Sequence, residues 1–173
     1  MDWVSVLNLI HIVSGVFWGG GVFLMAWFIV PAVQATGNDG QIFMKGMMQG
    51  TRISLYLNVS AWLAVLSGTY LSWVYSGGFG RDWLMSGMGM SITVGGILSG
   101  IALTIGMAFQ VPSAKRVALL GKEIESQSRP PTPEQLTEIQ QLQNKMMASV
   151  RWIAILLLIT VIAMALGRRL FWY

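Results

Sequence analysis

Charge is missing from four long stretches of this chain: residues 3–38, 53–80, 83–114 and 152–167 hold no Asp, Glu, Lys or Arg. A hydrocarbon core about 30 Å thick needs roughly 20 consecutive apolar residues in a helix, and a backbone in lipid has to satisfy its own polar groups. The pattern therefore predicts an all-α fold, an integral membrane four-helix bundle forming one domain over residues 1–173. Only 10% of residues are charged, where a soluble domain carries about a quarter. That excludes a secreted enzyme, a soluble nucleotide-binding fold and a nucleic-acid-binding protein. The net charge of +4 reflects cations that flank spans.

The spans are expected at about Val4–Val30, Ile53–Tyr75, Met90–Val111 and Val150–Gly167. Pro31 is expected to end the first, with a turn at Gly37-Asn38-Asp39-Gly40. The short connection that follows, through Met44, Met47 and Met48, is expected to lie at the interface, with Gly46 and Gly50 weakening any helix there. Residues 112–149 are predicted to carry spans three and four into the cytoplasm as a helical hairpin. Val117, Leu120 and Ile124 recur at helical spacing, and Arg129-Pro130-Pro131 interrupts them. Thr132-Pro133-Glu134-Gln135 then reads as a helix start, with Thr as N-cap, Pro in the first turn and Gln reaching back. Leu136, Ile139, Leu142, Met146 and Val150 carry the stripe onward.

Basic residues set sidedness. Lys45, Arg52, Lys115, Arg116, Lys122, Arg129, Lys145 and Arg151 fall on one side, against Arg81, Arg168 and Arg169 on the other. Both termini are thus expected outside, in a membrane of bacterial inner-membrane type, with Arg151 and Arg168 snorkelling beside the short fourth span. Trp3, Trp73, Tyr75, Trp83, Trp172 and Tyr173 would form an outer aromatic belt, and Trp27, Tyr56 and Trp152 an inner one. Met1-Asp2-Trp3 lacks the basic start of a cleaved signal. No internal repeat is evident in the sequence.

Few groups are left for chemistry. With no cysteine, disulfides and thiolate sites are excluded. His11 is the lone histidine and lies inside the first span, where an ionisable residue points to function by default. It shares a helical face with Gly15, Trp18, Gly19 and Val22, and Gly15 leaves room beside the imidazole for a flat ring, as an axial haem ligand requires. Met90 and Met164 are candidates for the second axial position. The plainer alternative is a neutral histidine bonded to Tyr70, Ser72, Ser91, Thr93 or Thr160. A third reading draws on the 12 methionines: Met85, Met88 and Met90, with His11, offer soft ligands for copper. Against it, methionine is a common apolar filler. Asn58 and Gln110 read as helix glue. Gly15 and Gly19, Gly96 and Gly100, the Ser91–Gly95–Ser99 face, and Ala61, Ala64 and Gly68 are seams expected to pack within one bundle. The expected partners are membrane lipids, no nucleic acid, and a homo-oligomer or larger membrane complex.

Ile10-His11-Ile12 followed by Trp18-Gly19-Gly20 resembles the first helix of two families of small four-helix membrane proteins, the CopD-like and HemJ-like families. The Pro31 exit, the Met-containing first connection and Ser67-Gly68 fit that layout. The resemblance implies that His11 corresponds to the first-helix histidine that HemJ-like proteins associate with haem b, and the CopD-like likeness implies copper. HemJ-like proteins add a lysine near the start of the third helix. Trp83 through Ala114 has none, so the resemblance does not extend to porphyrinogen oxidation.

Overall fold

Asp2 starts the first helix, its carboxylate accepting from the Ser5 amide at 2.8 Å, which satisfies one of the free N–H groups at the helix end. The computed structural model describes residues 2–127 and 129–170; the side chains of Arg168 and Arg169, and all of Trp172 and Tyr173, lie outside the described residues. Described helices are α1 Trp3–Ala35, α2 Gly37–Gly50, α3 Ile53–Tyr75, α4 Arg81–Met85, α5 Gly87–Ser126 and α6 Pro133–Leu170. No strand occurs among the described residues.

Two expectations about helix ends are corrected. Pro31 does not stop α1, because a π turn over Met25–Ile29 comes directly before it and the Val30 amide bonds to the Met25 carbonyl. Proline lacks an N–H and collides with the carbonyl four residues back. Widening the preceding turn lets the helix continue to Ala35. The connection after it is helical despite Gly46 and Gly50.

The hairpin is formed by α5 and α6, each running unbroken from an apolar half into a polar one. Thr132 and Gln135 cap α6 reciprocally, at 3.0 and 3.3 Å. Leu120 is buried between the arms, Arg116 grips Glu138 in a two-pronged bond at 2.6 and 3.0 Å, and Gln110 donates to the Met146 carbonyl at 2.8 Å.

Among the described residues, three helices are long and apolar enough to cross a membrane: α1, α5 and α6. The fourth expected span, α3, is shorter at 23 residues and carries no charge, but Asn58, four serines, Thr69 and three tyrosines dilute it. The closest pairings are antiparallel, α1 with α3 and α5 with α6; α3 also meets α5, and α1 meets α6. Alanines fill the core, with Ala26, Ala61, Ala64, Ala102 and Ala154 buried beside Trp18, Val22, Ile153 and Leu157. Small residues let backbones approach closely, which is how helices associate where apolar side chains gain little by leaving their surroundings. The outward faces are apolar as well: Val16 is 68% exposed, Phe17 67% and Val161 60%. A soluble monomer rarely shows so continuous an apolar surface.

The molecule repeats itself, contrary to the expectation from sequence. A second π turn, Gly106–Gln110, precedes Val111-Pro112 as the first precedes Val30-Pro31. When Pro31 is set on Pro112, the two π turns coincide, Phe28 falls on Phe109, and Gly15 and Gly19 fall on Gly96 and Gly100. Setting Ala61 on Ala154 likewise aligns Ala64 with Leu157 and Ser67 with Thr160, all buried. Exchanging the halves maps each pairing of the four long helices onto another. The unit is a helical hairpin used twice.

Glycines divide by environment. A Cβ on Gly95 would lie 2.9 Å from Cγ of Met164, and one on Gly167 would collide with Ser91. Gly15, Gly19, Gly96 and Gly100 would meet nothing within 4 Å. The expectation that these four pack inside the bundle is therefore corrected: they face out of it. Gly167→Ala should lower thermal stability in detergent by about 1–3 kcal/mol, the usual cost of overpacking. Gly96→Ala should leave it unchanged or raise it by up to about 1 kcal/mol through helix propensity. Equal shifts would contradict this division.

At the hairpin end, α2 is tied to α5 by the Lys45–Glu125 ion pair and to α6 by Gln143 donating to Gln41 at 3.3 Å. The hydrogen bond from Lys45 holds the Glu125 carboxyl below its ordinary value, and that from Arg116 does the same for Glu138. A lowered folded-state value means the contribution is present above the unfolded-state value and is lost as pH falls through the folded one. Since both pairs are exposed, salt screens them too. Spin labels on Met44→Cys and Lys122→Cys, in a chain without other cysteines, should show a single narrow distance at neutral pH. It should broaden below about pH 4. An unchanged distribution at pH 3 would refute the tie.

Candidate functional site around His11

His11 stands one turn before Ser14, at the start of the buried face of α1 that continues through Trp18 and Val22. It is half-buried. Facing it is the buried stripe of α3, formed by Ala61, Ala64, Ser67 and Leu71. The imidazole Nδ1 lies 2.8 Å from the Ala64 carbonyl oxygen. A helical carbonyl is ordinarily screened by the side chain one turn on. Here that residue is Gly68, and the ring lies in the space its missing side chain leaves. A Cβ on Gly68 would come within 2.6 Å of Cε1 and 2.9 Å of Nδ1.

The bond decides the tautomer. A carbonyl only accepts, so Nδ1 carries the hydrogen, and in the neutral ring Nε2 keeps its lone pair. Ser67 Oγ lies 3.5 Å from Nδ1 but donates to the Leu63 carbonyl of its own helix. Nε2 makes no hydrogen bond among the described residues and is not enclosed. Histidines that ligate metals are commonly held this way, with one ring nitrogen donating to a backbone carbonyl and the other left for the metal.

The partners expected from sequence are corrected. None of Tyr70, Ser72, Ser91, Thr93 or Thr160 bonds to the ring. Ser72 donates to the Gly68 carbonyl at 2.7 Å, Ser91 to Gly87 at 2.9 Å, and Thr160 to Leu156 at 2.9 Å. Tyr70 packs edge-on against Trp3 at 5.5 Å. What the sequence reading missed was a carbonyl and a glycine. The available signal was a glycine one turn after Ala64 on the span expected beside His11.

The other candidate residues sit on several elements. Gly15, one turn on along α1, has open space beside it: a Cβ there would meet nothing within 4 Å, the His11 ring included. Met164 is seated over Gly95 in the α5–α6 seam, and Met90 is exposed in the first turn of α5. Met85 ends α4, Met88 opens α5, and both are exposed. Among the described residues, no three of His, Asp and Glu gather in a metal-binding group.

Compared with protein-family models, with curated proteins and with solved structures, the chain finds no match in any of the three.

Gly68→Ala should evict the imidazole from its seat, whereas Gly15→Ala should not. With nitrogen-labelled histidine, NMR should report an Nδ1–H ring in the parent and in Gly15→Ala. A different tautomer balance should appear in Gly68→Ala. Identical spectra for all three would show that the Ala64 carbonyl does not hold the ring.

Proposed function

We propose that this chain is a four-span integral membrane protein in which His11 supplies an axial nitrogen to haem b or a related tetrapyrrole. The observation that carries the reading is the pinned imidazole: Nδ1 anchored on the Ala64 carbonyl, Nε2 without a partner among the described residues, and Gly15 and Gly19 uncovered one and two turns on along the same helix. The likeness of the first helix to HemJ-like proteins supports the same residue. Haem, when bound, would bring one-electron chemistry; the chain's own residues fix the ring's tautomer and orientation and surround it with apolar side chains. Copper would instead draw on Met85, Met88 and Met90, which are exposed from the end of α4 to the first turn of α5.

Membrane placement includes α3. It runs beside α1 along its length, and its polar side chains are spent on its own backbone: Thr69 donates to Val65 at 2.8 Å, Ser72 to Gly68 at 2.7 Å and Asn58 to Ser54 at 2.8 Å. A hydroxyl bonded to a carbonyl one turn back costs far less in lipid than a free one. With four spans and the excess of basic residues on the hairpin side, both termini lie outside.

A second reading has its own support, since the His11–Ala64 bond by itself fastens α1 to α3. On that reading the chain is a structural or accessory subunit. A visible spectrum of protein purified after haem supplementation separates the two. The expected result is a Soret band that is lost in His11→Ala while insertion and melting persist. A parent protein with no band, or a band untouched by the substitution, would overturn the haem reading and leave the helix pin.

A further inference from the structure

Among the described residues, the side chains of α1 that bond to α3 are Asn8 and His11, one turn apart. His11 takes the Ala64 carbonyl. Asn8 takes Tyr75: its amide donates to the tyrosine oxygen at 2.5 Å and to the Val4 carbonyl of its own helix at 3.1 Å. The orientation of that amide follows from its surroundings. Turned the other way, Asn8 would set its own carbonyl oxygen against that of Val4, acceptor facing acceptor. With the NH2 toward Val4, both of its hydrogens are used and Tyr75 accepts.

Other polar groups along this helix pair turn back on their own backbone. Ser14 donates to the Ile10 carbonyl at 2.5 Å, Thr69 to Val65 at 2.8 Å and Ser72 to Gly68 at 2.7 Å. Such bonds satisfy a hydroxyl without fixing one helix against the other. The seat of His11 needs that fixing. Among apolar neighbours, packing alone resists sliding and rolling only weakly. A slide of one residue, about 1.5 Å, would carry Nδ1 out of hydrogen-bond reach of Ala64. One bond is a pivot; a second one turn away removes rotation about it. On α3, Ala64, Gly68, Leu71 and Tyr75 follow at steps of four, three and four and so share a face. An interfacial belt would account for an exposed tyrosine, and helix glue for an asparagine, but neither use requires the two to meet one turn from the imidazole.

We propose that Asn8 and Tyr75 are positioning residues for His11: their bond sets α1 against α3 so that Nδ1 reaches the Ala64 carbonyl and the ring holds one orientation. The seat of the ring does not depend on what Nε2 binds; the consequence for haem rests on the reading given above.

NMR of nitrogen-labelled histidine in the full chain, prepared without added haem, reads the seat directly. Tyr75→Phe removes one hydroxyl, and Asn8→Leu removes the amide at similar size. Each should lower the ratio of Nδ1–H to Nε2–H ring about fivefold, the worth of one net hydrogen bond. The double variant should lower it no further than either alone, since both remove the same bond. Thr69→Val, which removes a hydroxyl bonded within α3, should keep the parent ratio. An unchanged ratio in either single variant, a drop shared by Thr69→Val, or additive drops in the double variant would each overturn the proposal. In a haem b titration, Tyr75→Phe and Asn8→Leu should bind about fivefold more weakly than the parent. A parent that takes up no haem while the tautomer shifts hold overturns the haem reading and leaves the positioning pair. Haem bound by the parent, with no tautomer shift in the variants, does the reverse.

Discussion

Close approach of helix backbones is the constraint on which the rest of this structure depends. Where surrounding tails are as apolar as the side chains themselves, burying leucine gains little, and association falls to van der Waals contact and short polar bonds. The core is accordingly built of alanine at Ala26, Ala61, Ala64, Ala102 and Ala154, and the seams are closed by glycine at Gly68, Gly95 and Gly167. The His11 site is one instance of the same rule. Without the missing side chain at Gly68, the Ala64 carbonyl would be covered and the imidazole would have no anchor.

The π turns belong to the same economy of backbone contacts. Each absorbs the proline that follows it and keeps a long helix continuous: α1 continues to Ala35 and α5 to Ser126. Their recurrence at matching positions, each followed by Val-Pro, ties a local device to the architecture. The two helical hairpins are variations on one unit. They differ in a contact: Lys145 lies over Phe109, while among the described residues no cation lies over Phe28.

Much of the fold was legible in the residue pattern. The charge-free stretches located the long helices, and Thr132-Pro133-Glu134-Gln135 announced the start of α6 because a capping box is a local interaction between residues adjacent in sequence. The stripe Val117, Leu120, Ile124 anticipated the buried Leu120 for a similar reason. The errors came where the deciding contact was distant or lay in the backbone. Pro31 reads as a helix end unless the turn before it can widen, which side-chain identity does not reveal. Which glycines face a partner depends on helix rotation, so Gly15 and Gly96 looked as suited to an internal seam as Gly95. The anchor of His11 is a main-chain oxygen 53 residues away, and no side-chain inventory lists main-chain oxygens. The repeat escaped notice because its matches are glycine, proline and small residues, common in any apolar chain, and only the backbone shows them doing the same thing.

The lone histidine breaks the equivalence of the halves. The position of His11 is taken by Ile92 when the prolines are superposed, so the molecule has one flank with a nitrogen donor beside open glycines and another with glycines alone. Each chain consequently has a direction around its own internal axis. Chains meeting through like flanks would set two imidazoles face to face, and chains meeting through unlike flanks would space them at equal intervals, one per subunit. The geometry of any assembly of this protein would therefore be written in the distance between neighbouring imidazoles.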